Sequence, residues 1–185
     1  MTRKKYAEWA ARTRIPLGFA MLALYAVYAR PSLPRFAAGA AVAALGLALR
    51  AWATGHLDKN RSLATSGPYA YTRNPLYFGS LVLAAGFAFA SRSWWIALIA
   101  TAMFFAIYIP VIRSEEAFLQ THFPEFEEYA RHVPRLFPRL RPYQNSKTSF
   151  SWDLYWKHRE YNAALGTAFM IAAMTVKAML GAAHR

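Results

Sequence analysis

Residues 94–112 read WWIALIATAMFFAIYIPVI, nineteen consecutive residues without a charged side chain. About 20 apolar helical residues are needed to cross a bilayer, so this stretch is long enough to span a membrane. Four more apolar stretches occur, at residues 15–29, 36–53, 76–90 and 163–183. A single short stretch would fit a buried core helix, but together they leave a soluble bundle no polar face to present to water.

The overall composition supports a membrane protein. Hydrophobic residues make up 56% of the 185 residues and aromatic residues 16%, more than a soluble domain carries. Small residues recur in two of the stretches, as they do where membrane helices pack closely. They are Ala38, Ala40, Ala44, Gly46, Gly79 and Gly86. We therefore predict an all-α fold, a polytopic membrane helical bundle of about five transmembrane helices.

The charge balance is strongly basic, with 22 Lys and Arg against 9 Asp and Glu, a formal net charge of +13. A basic chain suits phosphate-rich partners, and the apolar excess favours membrane lipids over nucleic acid. Cysteine is absent, which excludes disulfide scaffolds, thiol nucleophiles and iron–sulfur clusters. The five histidines follow no metal-ligand spacing, so we expect no metal site.

The basic residues also predict an orientation. Sixteen of them precede the first stretch or lie in the two polar segments, and four lie on the other side. The positive-inside rule places the N-terminus and both segments in the cytoplasm, which for a prokaryote means an inner-membrane protein. We treat residues 1–185 as one domain: helices one and two in 15–53, a loop at 54–75, helices three and four in 76–112, a second polar segment at 113–161, and a C-terminal helix at 162–183.

The loop at 54–75 ends in two recognisable local signals. Ser66-Gly67-Pro68 predicts a turn, in which glycine permits unusual dihedral angles. Asn74-Pro75 predicts the N-cap and first position of the third helix. With Arg73 beside it, this helix N-terminus suits a carboxylate or phosphate. The alternative is a capped helix whose arginine faces lipid headgroups.

The second polar segment begins with Glu115 and Glu116, directly after an apolar stretch. Adjacent carboxylates at a membrane edge are costly unless each finds a cation. They either pair with Arg113 or another loop arginine, or one of them receives an ammonium group or ribose hydroxyls of a ligand. Further along, an apolar helical stripe favours core packing, and residues 133–142 carry a proline at every fourth position, which predicts an extended segment. The stripe is Leu119, Phe123, Phe126, Ala130 and Val133.

The two segments together resemble the isoprenylcysteine carboxyl methyltransferase family, which is similar to the phospholipid N-methyltransferases. The resemblance rests on residues 63–79, LATSGPYAYTRNPLYFG, on Glu115-Glu116, and on the stretches at 123–129 and 133–134. It implies methyl transfer from S-adenosylmethionine, held in a cytoplasmic cofactor-binding region, to a lipid or prenylated acceptor from the bilayer.

The resemblance also implies site residues. Arg73, with help from Arg113, would hold or polarise the acceptor. The cofactor site would comprise His56, Ser62, Leu63, Ala64, Gly67, Tyr69, Asn74, Pro75, Leu76, Tyr77, Glu115 and Glu116. The family usually has histidine where this chain has Asn74, so a role for an imidazole at that position does not carry over.

The acceptor and two alternative functions stay open at this point. A carboxylate acceptor needs only a cation to place it, whereas a protonated amine needs a base, for which Glu115, Glu116 and His56 are candidates. An NADPH-dependent membrane reductase of the steroid 5α-reductase type has a related motif, but Gly79 is followed here by Ser80 and not by glutamate. A non-enzymatic membrane scaffold is the other alternative, but such a protein would need only short turns between its helices and not two long polar segments.

Overall fold

The computed structural model describes residues 3–59, 61–143 and 148–183, so Lys147 and Arg185 of the charge comparison lie outside the described residues. Within these ranges the regular elements are all helical and no strand occurs. The helices are α1 (Arg3–Tyr28), α2 (Leu33–Thr54), α3 (Pro75–Ala90), α4 (Trp94–His122), α5 (Phe126–His132), α6 (Trp152–Lys157) and α7 (Tyr161–Ala183), with a short 3-10 turn at Gly67–Ala70.

The lengths of the helices confirm the prediction of an all-α membrane bundle. By length and composition α2, α4 and residues Tyr161–Met179 of α7 can each cross a membrane, and Pro16–Tyr28 and Pro75–Ala90 are shorter apolar helices. The chain is therefore an integral membrane protein with about five membrane helices. Two helices extend well beyond the predicted apolar stretches: α1 begins at Arg3 and not near residue 15, and α4 has 29 residues and continues for ten beyond residue 112. At 1.5 Å per residue it is about 43 Å long, longer than the hydrocarbon core, so its last turns project from the bundle.

Helices α2 and α3 form the tightest pair in the molecule. A Cβ built on Gly39 would lie 2.5 Å from the Gly86 carbonyl oxygen, and one built on Gly46 would overlap the Leu83 backbone nitrogen. The two backbones are thus in direct contact, which only glycine allows at these positions. Close packing at Gly46, Gly79 and Gly86 was predicted correctly. Ala38 and Ala44 are instead exposed, and the buried positions beside them are Gly39 and Ala43.

Helices α1 and α7 complete the bundle. The Tyr6 hydroxyl donates to the Ala106 carbonyl at 3.1 Å, which ties the start of α1 to α4. At the opposite end, Tyr25 of α1, Ile96 of α4 and Met170 of α7 belong to one buried cluster. The Lys177 ammonium of α7 donates to the Ala26 and Val27 carbonyls. A cation therefore satisfies carbonyls in the last turn of α1 that have no partner within the helix.

The polar segments are held to each other by main-chain hydrogen bonds. The Arg73 N–H donates to the Pro134 carbonyl at 2.9 Å, and the N–H groups of Arg139 and Tyr143 donate to Tyr71 and Ala70, each at 2.9 Å. Residues 133–143 contain no helix, as predicted, but the backbone bends at several positions and is not extended. The stripe beside it forms a buried cluster with Leu63, built on Phe126, Tyr129 and Val133, which confirms core packing.

Candidate functional site

A cavity of about 670 Å³ lies where the polar segments meet the bundle, and we call it the loop cavity. Its walls come from the end of α2, residues 59–64, residues 69–80, α4, and the residues just before α7. Most of the predicted site residues line it. They are Ser62, Leu63, Ala64, Tyr69, Arg73, Asn74, Pro75, Leu76, Tyr77 and Glu115.

His56 and Gly67 are not among the lining residues, and they pack against each other. Gly67 has φ +55°, and a Cβ there would lie 2.5 Å from His56 Cδ2. His56 Nδ1 is 3.0 Å from the Trp52 carbonyl oxygen, and its ring meets the Phe150 ring edge-on at 6.2 Å. The left-handed turn at Gly67 thus depends on glycine, and His56 packs directly against it.

Asn74 occupies the predicted N-cap position of α3, but its side chain makes no capping hydrogen bond. The amide instead donates to Glu116 Oε1 at 3.2 Å and to the Arg135 carbonyl at 2.9 Å. The predicted N-cap position is thus confirmed, but the side chain is used for tertiary contacts. Tertiary partners compete for the amide, because the non-helical segment at residues 133–143 lies within reach of it. Asn74 joins the first turn of α3 to both polar segments.

Glu115 and Glu116 have different environments because successive residues of α4 point about 100° apart. Glu116 is buried, with 7% of its surface exposed, and accepts from Arg135 Nε at 2.7 Å and from Asn74. Glu115 is exposed on the cavity side and accepts from the Tyr77 hydroxyl at 2.9 Å. The Glu116 carboxylate is thus used for hydrogen bonds within the protein, whereas the Glu115 carboxylate lines the loop cavity.

Arg73 lines the cavity with an incompletely satisfied guanidinium. Its Nε lies 3.4 Å from Glu116 Oε1. This nitrogen is buried, yet it makes no hydrogen bond to any described residue. The guanidinium also lies over the Phe126 ring, 5.9 Å from the centroid. A buried donor without an acceptor is costly. Arg73 therefore brings a positive charge to the cavity lining, while its buried Nε faces Glu116.

Tyr129 is a wall residue that the sequence reasoning missed. Its hydroxyl donates to the Tyr69 carbonyl at 2.7 Å, and 3% of its surface is exposed. Burial raises the pKa of the Tyr129 phenol, which the positive charge of Arg73 partly opposes, and burial also raises the pKa of Tyr69. Both phenols are neutral donors at ordinary pH. The helical spacing Phe126–Tyr129–Val133 could have identified Tyr129 as part of the stripe.

An ion pair at the floor of the cavity was also missed. Arg50 Nε lies 2.7 Å from Glu160 Oε1 and Arg50 Nη2 lies 3.0 Å from Glu160 Oε2, while Nη1 donates to the Ser80 hydroxyl. The side chains of Arg50 and Glu160 are 23% and 8% exposed. A Cβ on Gly79 would lie 2.7 Å from Arg50 Cγ. The absence of a side chain at Gly79 therefore leaves room for Arg50 to extend past α3. The sequence feature that could have indicated this ion pair is Arg50, a single arginine within an apolar stretch.

Arg113 does not join the other site residues. It is exposed on α4 and is not among the residues that line the loop cavity. No group of three or more His, Cys, Asp or Glu side chains that could hold a metal ion occurs in the described part of the chain. The ionisable groups that line the cavity thus include the Glu115 carboxylate, the Arg73 guanidinium, the Lys59 ammonium, the His158 imidazole and the Arg50–Glu160 ion pair.

Comparisons of the sequence match this chain to one family profile and to curated relatives. The phospholipid methyltransferase family profile matches residues 34–125. This range contains α2 except its first residue, the first loop, α3 and the whole of α4. The cobalt-zinc-cadmium resistance protein CzcN of Cupriavidus metallidurans is 34% identical over 75% of this chain and 62% of its own length. The nickel-cobalt-cadmium resistance protein NccN of Alcaligenes xylosoxydans xylosoxydans is 40% identical over 49% of this chain and 42% of its own.

The chain spans less than two thirds of the length of either relative, and no solved structure matches it significantly. The family profile covers the motif at residues 63–79 and the Glu115-Glu116 pair, on which the resemblance to membrane methyltransferases rests. The chain therefore belongs to the phospholipid methyltransferase family of integral membrane proteins.

Proposed function

We propose that this protein is an S-adenosylmethionine-dependent methyltransferase that acts on a lipid-like acceptor. The observation that carries the proposal is the loop cavity, because the residues of the family motif converge on it from α3, α4 and the first loop. Its volume of about 670 Å³ lies in the range of small-molecule sites.

The residues of the cavity fit the cofactor chemically. Glu115 offers a carboxylate to the ammonium group or the ribose hydroxyls, and Leu63, Phe118 and Leu119 offer apolar surface to an adenine ring. When bound, the cofactor supplies a methyl group already activated by the sulfonium charge. The chain itself needs to align donor and acceptor and to exclude water.

Arg73 is the residue we assign to the acceptor. It lines the loop cavity, and a guanidinium can orient a carboxylate with two parallel hydrogen bonds. An amine acceptor would need a base instead. Glu116 already accepts from Arg135 and Asn74, and His56 is not among the residues that line the cavity. Glu115 is then the one of the three predicted bases that lines the cavity.

The proposed acceptor reaches the site from the bilayer, and the proposed setting is a prokaryotic inner membrane with both polar segments in the cytoplasm. The positive charge of those segments supports this orientation. The names of the relatives refer to metal resistance and specify no reaction. We therefore base the proposal on the family and on the cavity.

Calorimetric titration of S-adenosylhomocysteine into the purified protein tests the proposal, with NADPH as the control titrant. We expect saturable micromolar binding of S-adenosylhomocysteine and none of NADPH. Binding of NADPH alone would establish the reductase alternative. Binding of neither would leave a membrane scaffold and overturn the proposal.

A further inference from the structure

His158 is an ionisable group of the loop cavity to which the proposed function gives no task. Its imidazole is one of the lining groups, and its side chain is partly exposed. The other described histidines, His56, His122 and His132, do not line this cavity. Residue 158 also lies outside the range that the family profile matches. The family motif therefore does not account for an imidazole at this position.

One ring nitrogen of His158 is held by the backbone. Nδ1 lies 2.8 Å from the Leu154 carbonyl oxygen. Because a carbonyl oxygen only accepts, Nδ1 carries the hydrogen of the neutral ring and Nε2 carries the lone pair. No hydrogen bond joins Nε2 to any residue in the described part of the chain. The neutral ring therefore has a proton acceptor that the protein itself does not use.

An unusual turn of the backbone accompanies this placement. Helix α6 ends at Lys157 and α7 begins at Tyr161, and Arg159 between them has φ +53°. An arginine in the left-handed region is strained, because its Cβ crowds the following carbonyl oxygen. The residues on either side of it, His158 and Glu160, both line the loop cavity. Strained backbone of this kind is found mainly at functional sites.

The lining of the loop cavity carries an excess of positive charge. Lys59 and Arg73 both line it. Arg73 shares the Glu116 carboxylate with Arg135, so that network keeps one positive charge. The ion pair at the floor of the cavity is neutral in itself. Beside His158, the cavity therefore favours an acceptor that becomes more negative as it reacts.

The cofactor adds to this excess and narrows the class of acceptor. Glu115 is the carboxylate that the proposed function gives to its ammonium group or ribose, and the sulfonium is a further positive charge. An ammonium acceptor would meet these like charges, whereas negative charge on an attacking oxygen would be stabilised. A carboxylate arrives without a proton and needs no base. A phenol, with an ordinary pKa of about 10, arrives protonated and needs one.

We propose that His158 is the general base of the reaction, and that the methyl acceptor is an amphiphile with a phenolic hydroxyl. As the acceptor oxygen forms its bond to the methyl carbon, its proton passes to His158 Nε2. The electron pair of the broken carbon–sulfur bond stays on sulfur, which gives S-adenosylhomocysteine, and the imidazolium then releases the proton to solvent. This reaction rests on the proposed function, whereas the unused lone pair of His158 does not.

Binding of two amphiphiles to the purified protein in lipid nanodiscs tests His158 without turnover. The probes are 4-decylphenol and its methyl ether 4-decylanisole, and each competes against tritiated 4-decylphenol. His158→Phe keeps a ring but cannot accept a hydrogen bond. The ratio of the two half-inhibition concentrations should therefore shift about three- to tenfold against the phenol.

His132→Phe is the matched control for this measurement. His132 Nδ1 makes the same kind of contact, at 3.0 Å to the Glu128 carbonyl oxygen, but the residue does not line the cavity. This variant should leave the ratio unchanged. Since each probe partitions alike into nanodiscs of every variant, an unchanged ratio in His158→Phe would overturn the role of His158.

Methyl transfer from tritiated S-adenosylmethionine tests the base directly. His158→Gln should lower kcat with 4-decylphenol at least about a hundredfold. With 2-nitro-4-decylphenol, which is largely ionised in mildly alkaline buffer, the loss should be far smaller, because no proton remains to be removed. His132→Gln should match the natural protein with both acceptors. Equal losses with the two phenols would make His158 a structural residue.

Decanoate and decylamine test the acceptor class in the same assay, and we expect both to be poorer acceptors than 4-decylphenol. Transfer to either of them with none to 4-decylphenol, or transfer to none of the three, would overturn this inference. Titration of S-adenosylhomocysteine separates the two proposals. Intact binding without methylation of the phenol leaves the proposed function standing. Absent binding with a His158-dependent ratio overturns the proposed function and leaves a phenol-binding site.

Discussion

At the scale of single residues, the two adjacent carboxylates of α4 have separate tasks. Glu116 is enclosed by Asn74, Arg135 and Arg73, whereas Glu115 faces the loop cavity beside Tyr77. A step of about 100° along a helix is enough to separate a structural acid from a ligand-facing acid. Their amide variants should therefore fail in different ways.

Glu115→Gln should weaken S-adenosylhomocysteine binding about tenfold, because a charge-assisted contact is lost, with the thermal unfolding midpoint unchanged. Glu116→Gln should lower that midpoint, since it uncouples a buried acid from two arginines at a cost of about 3 kcal/mol. Calorimetry and thermal unfolding of the two purified variants measure both effects. If Glu116→Gln lost S-adenosylhomocysteine binding while its unfolding midpoint stayed normal, Glu116 and not Glu115 would be the ligand-facing acid.

Arg73→Ala should abolish methyl transfer while S-adenosylhomocysteine still binds, because we assign the guanidinium to the acceptor. Arg73→Lys keeps the charge but cannot form the two parallel hydrogen bonds of a guanidinium, so we expect a large rise in the acceptor KM with partial turnover. Arg113→Ala is the matched control, since that side chain is exposed and outside the cavity lining. Normal turnover in Arg73→Ala would remove Arg73 from the acceptor site.

At the scale of helices, the contact between α2 and α3 positions the site. Gly39, Gly46 and Gly86 bring the two backbones together, and Gly79 leaves room for Arg50 to reach Glu160. The last turn of α2 and the first turns of α3 both reach the loop cavity. A wider spacing between these helices would therefore move the walls of the cavity.

Gly46→Ala should lower the unfolding midpoint, because its Cβ would overlap the backbone of α3 and overpacking of this kind costs about 1–3 kcal/mol or more. Gly18→Ala is the control, since no atom outside its own turn lies within 4 Å of the added Cβ. Alanine there should be neutral or stabilise α1 by about 0.5–1 kcal/mol. Equal midpoints in the two variants would contradict the close contact.

At the scale of the whole molecule, the asymmetry of charge predicts which end faces the cytoplasm. The loop end carries the Arg50–Glu160 pair, the Arg73–Glu116–Arg135 network and the loop cavity. The opposite end carries the cluster of Tyr25, Ile96 and Met170. An orientation with the loop end inside gives the proposed cofactor direct access from the cytoplasm.

The natural chain has no cysteine, so single cysteines report this orientation without background. In intact spheroplasts a membrane-impermeant maleimide should label Arg30→Cys, which lies between α1 and α2, and should label Arg61→Cys only after permeabilisation. Both positions are exposed, so unequal burial would not explain the difference. The reverse pattern would place the loop cavity outside the cell.

The sequence alone determined the class of fold, the apolar stretches and the segments that form the cavity. These follow from local composition and spacing: an apolar run reads as a membrane helix, and Pro75 marks the start of α3. Family resemblance pointed to Tyr69 and Arg73 through the contiguous motif at residues 63–79, and to Glu115 through the separate Glu115-Glu116 pair.

Only the tertiary structure decided which of these groups face the cavity. The amide of Asn74 turned from its expected cap to Glu116, and Arg50 met Glu160, 110 residues away. Side-chain direction in each case depends on which distant segment supplies the better partner, and no local spacing contains that information. Tyr25 likewise became part of a buried cluster only once Ile96 and Met170, from distant parts of the chain, packed against it, because burial is a property of a group's surroundings and not of its place in the chain.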